Sequence, residues 1–203
     1  MDPSSELILS LEDIYWRQKG KPILKDVNWS VRKGEHWVML GLNGSGKTSL
    51  LKMITGYQWP TKGTVSALGS LFGKVNIQEL RKSIGWVSTS LDERFKNRSN
   101  DSALQVVLSG KHASIGTYDE FSNNDVERAK NLLSEFGMDH LYDQPFFTLS
   151  QGEKRKAMIS RALMPSPRLL ILDEPCNGLD MYSKEQLLAS IEKMNQKPSG
   201  PTL

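Results

Sequence analysis

The stretch Gly41–Thr48, GLNGSGKT, constrains this chain more than any other segment. It has the spacing G-x-x-x-x-G-K-S/T, a pattern with chemical meaning only where a strand enters it and a helix leaves it. Both flanks fit. Glu35–Leu40 reads as a strand, helical spacing begins at about Lys47, and Gly56 is placed to stop that helix. Gly41, Gly44 and Gly46 let the backbone curl with its N–H groups inward, because glycine tolerates positive φ. Those N–H groups and the positive helix end then hold nucleotide phosphates. Lys47 reaches the β- and γ-phosphates, and Thr48 offers a hydroxyl to Mg²⁺. The candidate nucleotide-binding set is Gly41, Leu42, Asn43, Gly44, Ser45, Gly46, Lys47, Thr48 and Ser49. A glycine-rich turn that binds nothing is the competing reading, and spacing and context together argue against it.

The complement of such a loop is an acidic strand end. RLLILDE (Arg168–Glu174) is a short apolar run, the mark of a central parallel strand buried on both faces. A carboxylate at its carboxyl end falls in the crevice where α/β sheets bind ligands. Asp173 is the candidate for the Mg²⁺ shell, and Glu174 for polarising the attacking water. A plain turn cap before Pro175 is the alternative for either carboxylate.

Around these motifs the chain alternates. Leu7–Trp16, Ile23–Val31 and Gly63–Leu68 read as strands, and Ile84–Ser88 as another. Asn76–Ser83 reads as a short helix, and a further helix begins at about Ser102. In NNDVERAKNLLSEFGM one face collects Val126, Ala129, Leu132, Leu133 and Phe136. A helix over Ser150–Leu163 opens with a capping box, Ser150 and Glu153. Gly152 sits in its first turn, where it costs roughly 1 kcal/mol against alanine and the cap does not explain it. A last helix covers Ser183–Met194. The layout predicts an α/β fold: a phosphate-loop core with an N-terminal β-subdomain and an inserted helical subdomain.

Composition bounds the rest. A length of 203 residues suits one domain, or one with a small insertion. Net charge of +3, from 26 basic and 23 acidic residues, is too small to point to nucleic acid or a membrane surface. The single cysteine, Cys176, excludes an internal disulfide and fits a reducing compartment. No signal-peptide pattern opens the chain, and no long apolar run crosses a bilayer. A cytoplasmic location, or one peripheral to the inner face of the membrane, is expected.

Phosphate loop, LSQGE (Leu149–Glu153), LLILDE and NGLD (Asn177–Asp180) follow one another in an order that resembles the ATP-binding cassette (ABC) ATPases along the whole chain. The resemblance implies residues 1–89 and 164–203 as nucleotide-binding core with β-subdomain, and residues 90–163 as the helical subdomain carrying the signature. It implies a head-to-tail dimer in which one subunit's signature faces ATP held by the other's phosphate loop. Ser150, Gln151, Gly152 and Glu153 would then contact the partner's ATP, with Asp180 at the interface. Glycine is usual where Gln151 stands, and glutamine where Glu153 stands. Implied cofactors are ATP and Mg²⁺, and the implied partners are a second cassette and a membrane transport subunit. Within the family, GKPILKDVNWSVRKGEHW and VVLSGKHASIG resemble the soluble cassettes of the ModF and YlmA kind.

Three departures stand against that pattern. Where the family places a loop glutamine after the strand, this chain has Ser88, Thr89 or Ser90, and Thr89 is the candidate Mg²⁺ contact. The tyrosine that stacks on adenine is replaced at its position by Gln18, leaving Trp16 as candidate. The histidine that contacts the γ-phosphate follows the last helix, and SGPTL ends the chain before it, so a truncated cassette of low activity is expected. The function implied is ATP hydrolysis that drives transport. A soluble regulator or remodelling factor is the alternative, and a non-enzymatic nucleotide switch a third.

Overall fold

The computed structural model describes residues 6–88, 100–112, 121–196 and 200–203. They fall into two compact units, Met1–Ile84 with Thr202–Leu203, and Gly85–Pro201.

The first unit is built on a hairpin. Strands β1 (Leu7–Gln18) and β2 (Lys21–Arg32) are joined by Lys19 and Gly20 at φ 48 and 80. Two successive positive φ values match the twist of the flanking strands in a two-residue turn. With β3 (Lys62–Ala67) and β4 (Ser70–Leu71) they make a sheet of order β2-β1-β3-β4, with β1 antiparallel to both neighbours. Leu9 lies between Val31 and Ala67, and Leu11 between Trp29 and Val65. Leu9, Leu11, Val31, Val65 and Ala67 are buried, so period-two alternation sets the register. Helix α1 (Lys47–Ile54) packs on β3 and buries Leu50, Met53 and Ile54.

A shift of register between Leu11 and Ile14 forms a bulge, with Asp13 at φ 50 held by Asn28 (N–H to Oδ1, 2.8 Å). Gly63 crosses that bulge so closely that a Cβ would stand 2.5 Å from the carbonyl oxygens of Glu12 and Asp13. Glycine is required there, and the register beyond the bulge brings Trp16 opposite Leu24. Helix α2 (Ile77–Arg81) starts on the cap Asn76, whose Oδ1 accepts from Gln78 N–H at 3.0 Å. Its Arg81 donates to the Thr55 carbonyl (3.0 Å) and lies 4.0 Å over the Tyr57 ring, fastening the end of α1.

One expected strand is not formed. Glu35–Leu40 joins no sheet among the described residues; Trp37 N–H donates to the Leu203 carbonyl at 2.9 Å. Val38 and Leu40 are 81% and 88% exposed. Apolar side chains do not make a strand without neighbouring backbone to complete the ladder, and Leu203 supplies a single carbonyl.

The second unit pairs β5 (Ile84–Val87) with β6 (Leu169–Leu172), and both are largely buried. Its helices are α3 (Ala103–Leu108), α4 (Asn123–Glu135), α5 (Gln151–Leu163) and α6 (Met181–Asn195). Serines 102, 122 and 150 each open a helix with a complete capping box. Ala129, Leu132, Leu133 and Phe136 turn inward as their spacing predicts, while Val126 is half-buried. Gly110 lets α5 approach: a Cβ there would collide with the Arg161 carbonyl. At the other end of α5, Arg128 donates to the carbonyls of Met164 (2.9 Å) and Leu163 (3.1 Å), the latter also accepting from Ser166 N–H at 3.0 Å.

Candidate functional site

The phosphate loop turns left-handed at two of its three glycines, and Gly41, expected to share that conformation, does not take a positive φ. Gly44 and Gly46 sit at φ 81 and 97, where a side chain is strained. Ser45 N–H closes on the Leu42 carbonyl at 3.1 Å, and Leu50 N–H takes the Gly46 carbonyl at 2.9 Å as the first helical bond. The Lys47 ammonium folds back onto the carbonyls of Gly41 (2.6 Å) and Leu42 (3.1 Å). A charged donor thus spans the mouth of the loop. Gly46 also lies against β2, with room for a Cβ denied by Leu24 Cδ2 at 2.8 Å. Because Trp16 pairs with Leu24, the hairpin carries Trp16 to the neighbourhood of the loop. Thr48 is exposed at the start of α1.

At the end of β6, Asp173 is 8% exposed, and its N–H donates to the Val87 carbonyl at 2.9 Å. That bond sets the end of β5, where buried Ser88 follows, alongside Asp173. Thr89 and Ser90 lie outside the described residues. Glu174 comes next at φ 51, left-handed backbone that a residue with a side chain rarely adopts. Its conformation is held by Asn177, whose N–H donates to the Glu174 carbonyl (3.1 Å) and whose Nδ2 donates to Oε2 (3.2 Å). Asn177 orients a candidate base, a role its place in NGLD did not suggest.

Leu149–Glu153 form the entry to α5. Ser150 Oγ accepts from Glu153 N–H at 3.3 Å, and Glu153 Oε2 accepts from Ser150 N–H at 2.7 Å. The Glu153 carboxylate is thereby committed to its own helix. The N–H groups of Gln151 and Gly152, by contrast, are first-turn donors with no acceptor inside the helix. Gly152 has a neighbour that the sequence did not reveal. A Cβ on it would stand 3.2 Å from Ser183 Oγ and 3.3 Å from Ser183 Cβ.

Ser183 in turn holds Asp180, the cap of α6. Its N–H donates to Oδ1 (2.9 Å) and its Oγ to Oδ2 (2.7 Å). Those two bonds, the backbone one foremost, keep the Asp180 carboxyl below its ordinary range. One turn further along, Lys156 Nζ donates to Gln186 Oε1 at 3.1 Å. Helices α5 and α6 therefore run side by side, with their capped N-termini level.

Comparison with known proteins gives these motifs a common setting. A family model described as ABC transporter matches residues 24–177. YlmA of Bacillus subtilis (strain 168), an uncharacterized ABC transporter ATP-binding protein, is 45% identical over 198 residues, covering 97% of this chain and 74% of that protein. ModF of Escherichia coli (strain K12), an ABC transporter ATP-binding protein, is 37% identical over 189 residues, covering 90% of this chain and 38% of its own length. Among solved structures, cbiO1 from Clostridium perfringens, part of the ABC transporter complex cbiONQ, aligns with a TM-score of 0.80 at 27% identity, over 98% of this chain and 77% of that one. The ADP conformation of the cassette MJ1267 aligns with a TM-score of 0.81 at 25% identity, over 98% and 80%.

Proposed function

The chain belongs to the ABC transporter family and is an ATP-hydrolysing cassette, and on that premise we propose that it binds Mg-ATP, pairs head to tail with a second copy of itself and drives transport through a separate membrane subunit. The observation that carries this reading is the loop Gly41–Thr48, with its left-handed glycines and the Lys47 ammonium across its mouth. Backbone N–H groups and Lys47 bind the phosphates, and Trp16 stacks on the adenine. The Thr48 hydroxyl and the Asp173 carboxylate are the donors that would hold the metal. Both are hard oxygens of the kind Mg²⁺ takes beside phosphate oxygens and water. When bound, the ion neutralises charge on the transferring phosphoryl group.

Glu174, held by Asn177, orients or deprotonates the attacking water. Ser150 and the N–H groups of Gln151 and Gly152 meet the γ-phosphate held by the partner chain, while Asp180 stands at the interface. Catalysis is then mainly positioning and charge stabilisation. Residues 1–89 and 164–203 serve as the nucleotide-binding core, and residues 90–163 as the helical subdomain that meets the membrane subunit. The site of action is the cytoplasmic face of the membrane.

Glu174→Gln tests the reading. It should retain ATP binding, lose turnover, and elute as a dimer on gel filtration with ATP and Mg²⁺. An ATP-binding variant that stays monomeric would overturn head-to-tail pairing. One observation favours a second reading, a cassette acting on a protein or nucleic-acid partner without a membrane subunit. Where the family's loop glutamine would follow β5 this chain has Ser88, Thr89 or Ser90, all shorter hydroxyl side chains, and Ser88 is buried. Recovery of the protein in membrane fractions, lost on carbonate washing, separates the transport reading from this one.

A further inference from the structure

Ser183 is one side chain with two attachments. Its Oγ and N–H hold both carboxylate oxygens of Asp180. The same Oγ and Cβ fill the space over Gly152, at distances where a methyl group could enter only if Ser183 gave way. Lys156 and Gln186 repeat the tie one turn further along the two helices. We propose that Ser183 is a positioning residue for ATP turnover, locking the Asp180 turn to the start of the signature helix so that both face the partner chain as one surface. This deepens the head-to-tail reading and rests on it for its consequence in catalysis; the lock itself is a property of a single chain.

The physical case lies in what each part lacks alone. Asp180 is exposed, and an exposed carboxylate on a turn samples several rotamers unless its oxygens are bound. The first turn of α5 has free N–H donors, and its aim depends on what packs beside it. Ser183 fixes both, with the hydroxyl donating to one and the methylene and oxygen packing on the other. A side chain on Gly152 would crowd Ser183, which would have to give by a few tenths of an ångström. This supplies, inside the chain, the reason for a glycine that the capping box does not give.

The experiment uses the full chain with Ser183→Ala, Ser183→Thr, Gly152→Ala, Ser183→Gly and the last two combined. Ser183→Ala should lower kcat about fivefold to tenfold, the loss expected of one orienting hydrogen bond, and leave KM for ATP unchanged. Ser183→Thr, which keeps the hydroxyl, should recover most of that loss. Gly152→Ala should lower kcat, and in the pair the combined loss should be smaller than the product of the two single losses, because Ser183→Gly makes room. Amide exchange at Glu153 and Lys154 reads the lock in the monomer: it should quicken in Ser183→Ala and return towards the wild-type rate in Ser183→Thr.

Unchanged exchange in Ser183→Ala overturns the lock, whatever the kinetics. Single losses that multiply in full in the pair overturn it as the reason for the glycine. Failure of Glu174→Gln to dimerise with ATP removes the head-to-tail reading instead, and leaves the lock to be judged on exchange alone.

Discussion

At the scale of single residues, the chain places strain and restraint together at Glu174. A non-glycine residue at φ 51 costs roughly 1–2 kcal/mol and persists only where its surroundings hold it. Asn177 is the holder, through one bond to the carbonyl and one to the carboxylate. Asn177→Ala should therefore lower kcat about threefold to tenfold, the scale of one lost orienting bond, with ATP affinity unchanged. Nucleotide titration beside steady-state turnover checks both halves, and a matching loss of affinity would place Asn177 in the binding loop's service instead. Neither residue's restraint was visible in the letters NGLD. The motif told where Glu174 would stand, since an acidic pair closing a buried strand has few other places to be. What holds Glu174 there depends on how the next three residues turn, and turn conformation is not written in composition.

Among the elements, three helices carry their start as a capping box, of which the expectation from sequence rests on the one at Ser150. Ser102, Ser122 and Ser150 each sit three residues before a Gln, Asp or Glu that completes the box, a local signal that no tertiary contact needs to support. The strand expected over Glu35–Leu40 shows the converse. Its apolar residues read as a strand, but a strand is a relation between chains of hydrogen bonds, and the partner is not specified locally. Arg128 illustrates a third case, a charged residue on an amphipathic helix whose use is the end of α5. Arg128→Ala should cost about 1–2 kcal/mol in urea unfolding, because charge-assisted bonds to two helix-end carbonyls are lost.

The cap of α4 gives a pH dependence of known sign. Lys111 and then Ser122, both on the Asp125 carboxylate, lower its pKa from 3.8 to about 2. The folded value lies below the unfolded one, so its stabilisation is complete above pH of about 3.8 and is lost as pH falls towards 2. Urea midpoints taken through that window should fall more steeply for the wild type than for Asp125→Asn.

For the whole molecule, the head-to-tail reading makes a demand that neither chain meets alone. If each ATP lies between one chain's phosphate loop and the other's signature, a chain defective in the first can be paired with a chain defective in the second. Lys47→Ala removes the ammonium that bridges the loop, and on the head-to-tail reading Gly152→Asp sets a carboxylate where the partner's γ-phosphate would approach. Each variant alone should be inactive, since every site in its dimer carries a lesion. Mixed in equal amounts, about half of the dimers pair unlike chains, and each of these has one site with both lesions and one with none. Turnover should then return to about a quarter of the wild-type rate when the sites act independently, and to less when they act together. A site built within one chain gives no recovery at any ratio of the two variants. Phosphate release measured across mixing ratios, with a maximum at equal amounts, distinguishes the two architectures, because only a site shared between chains can be repaired by a partner that is itself inactive.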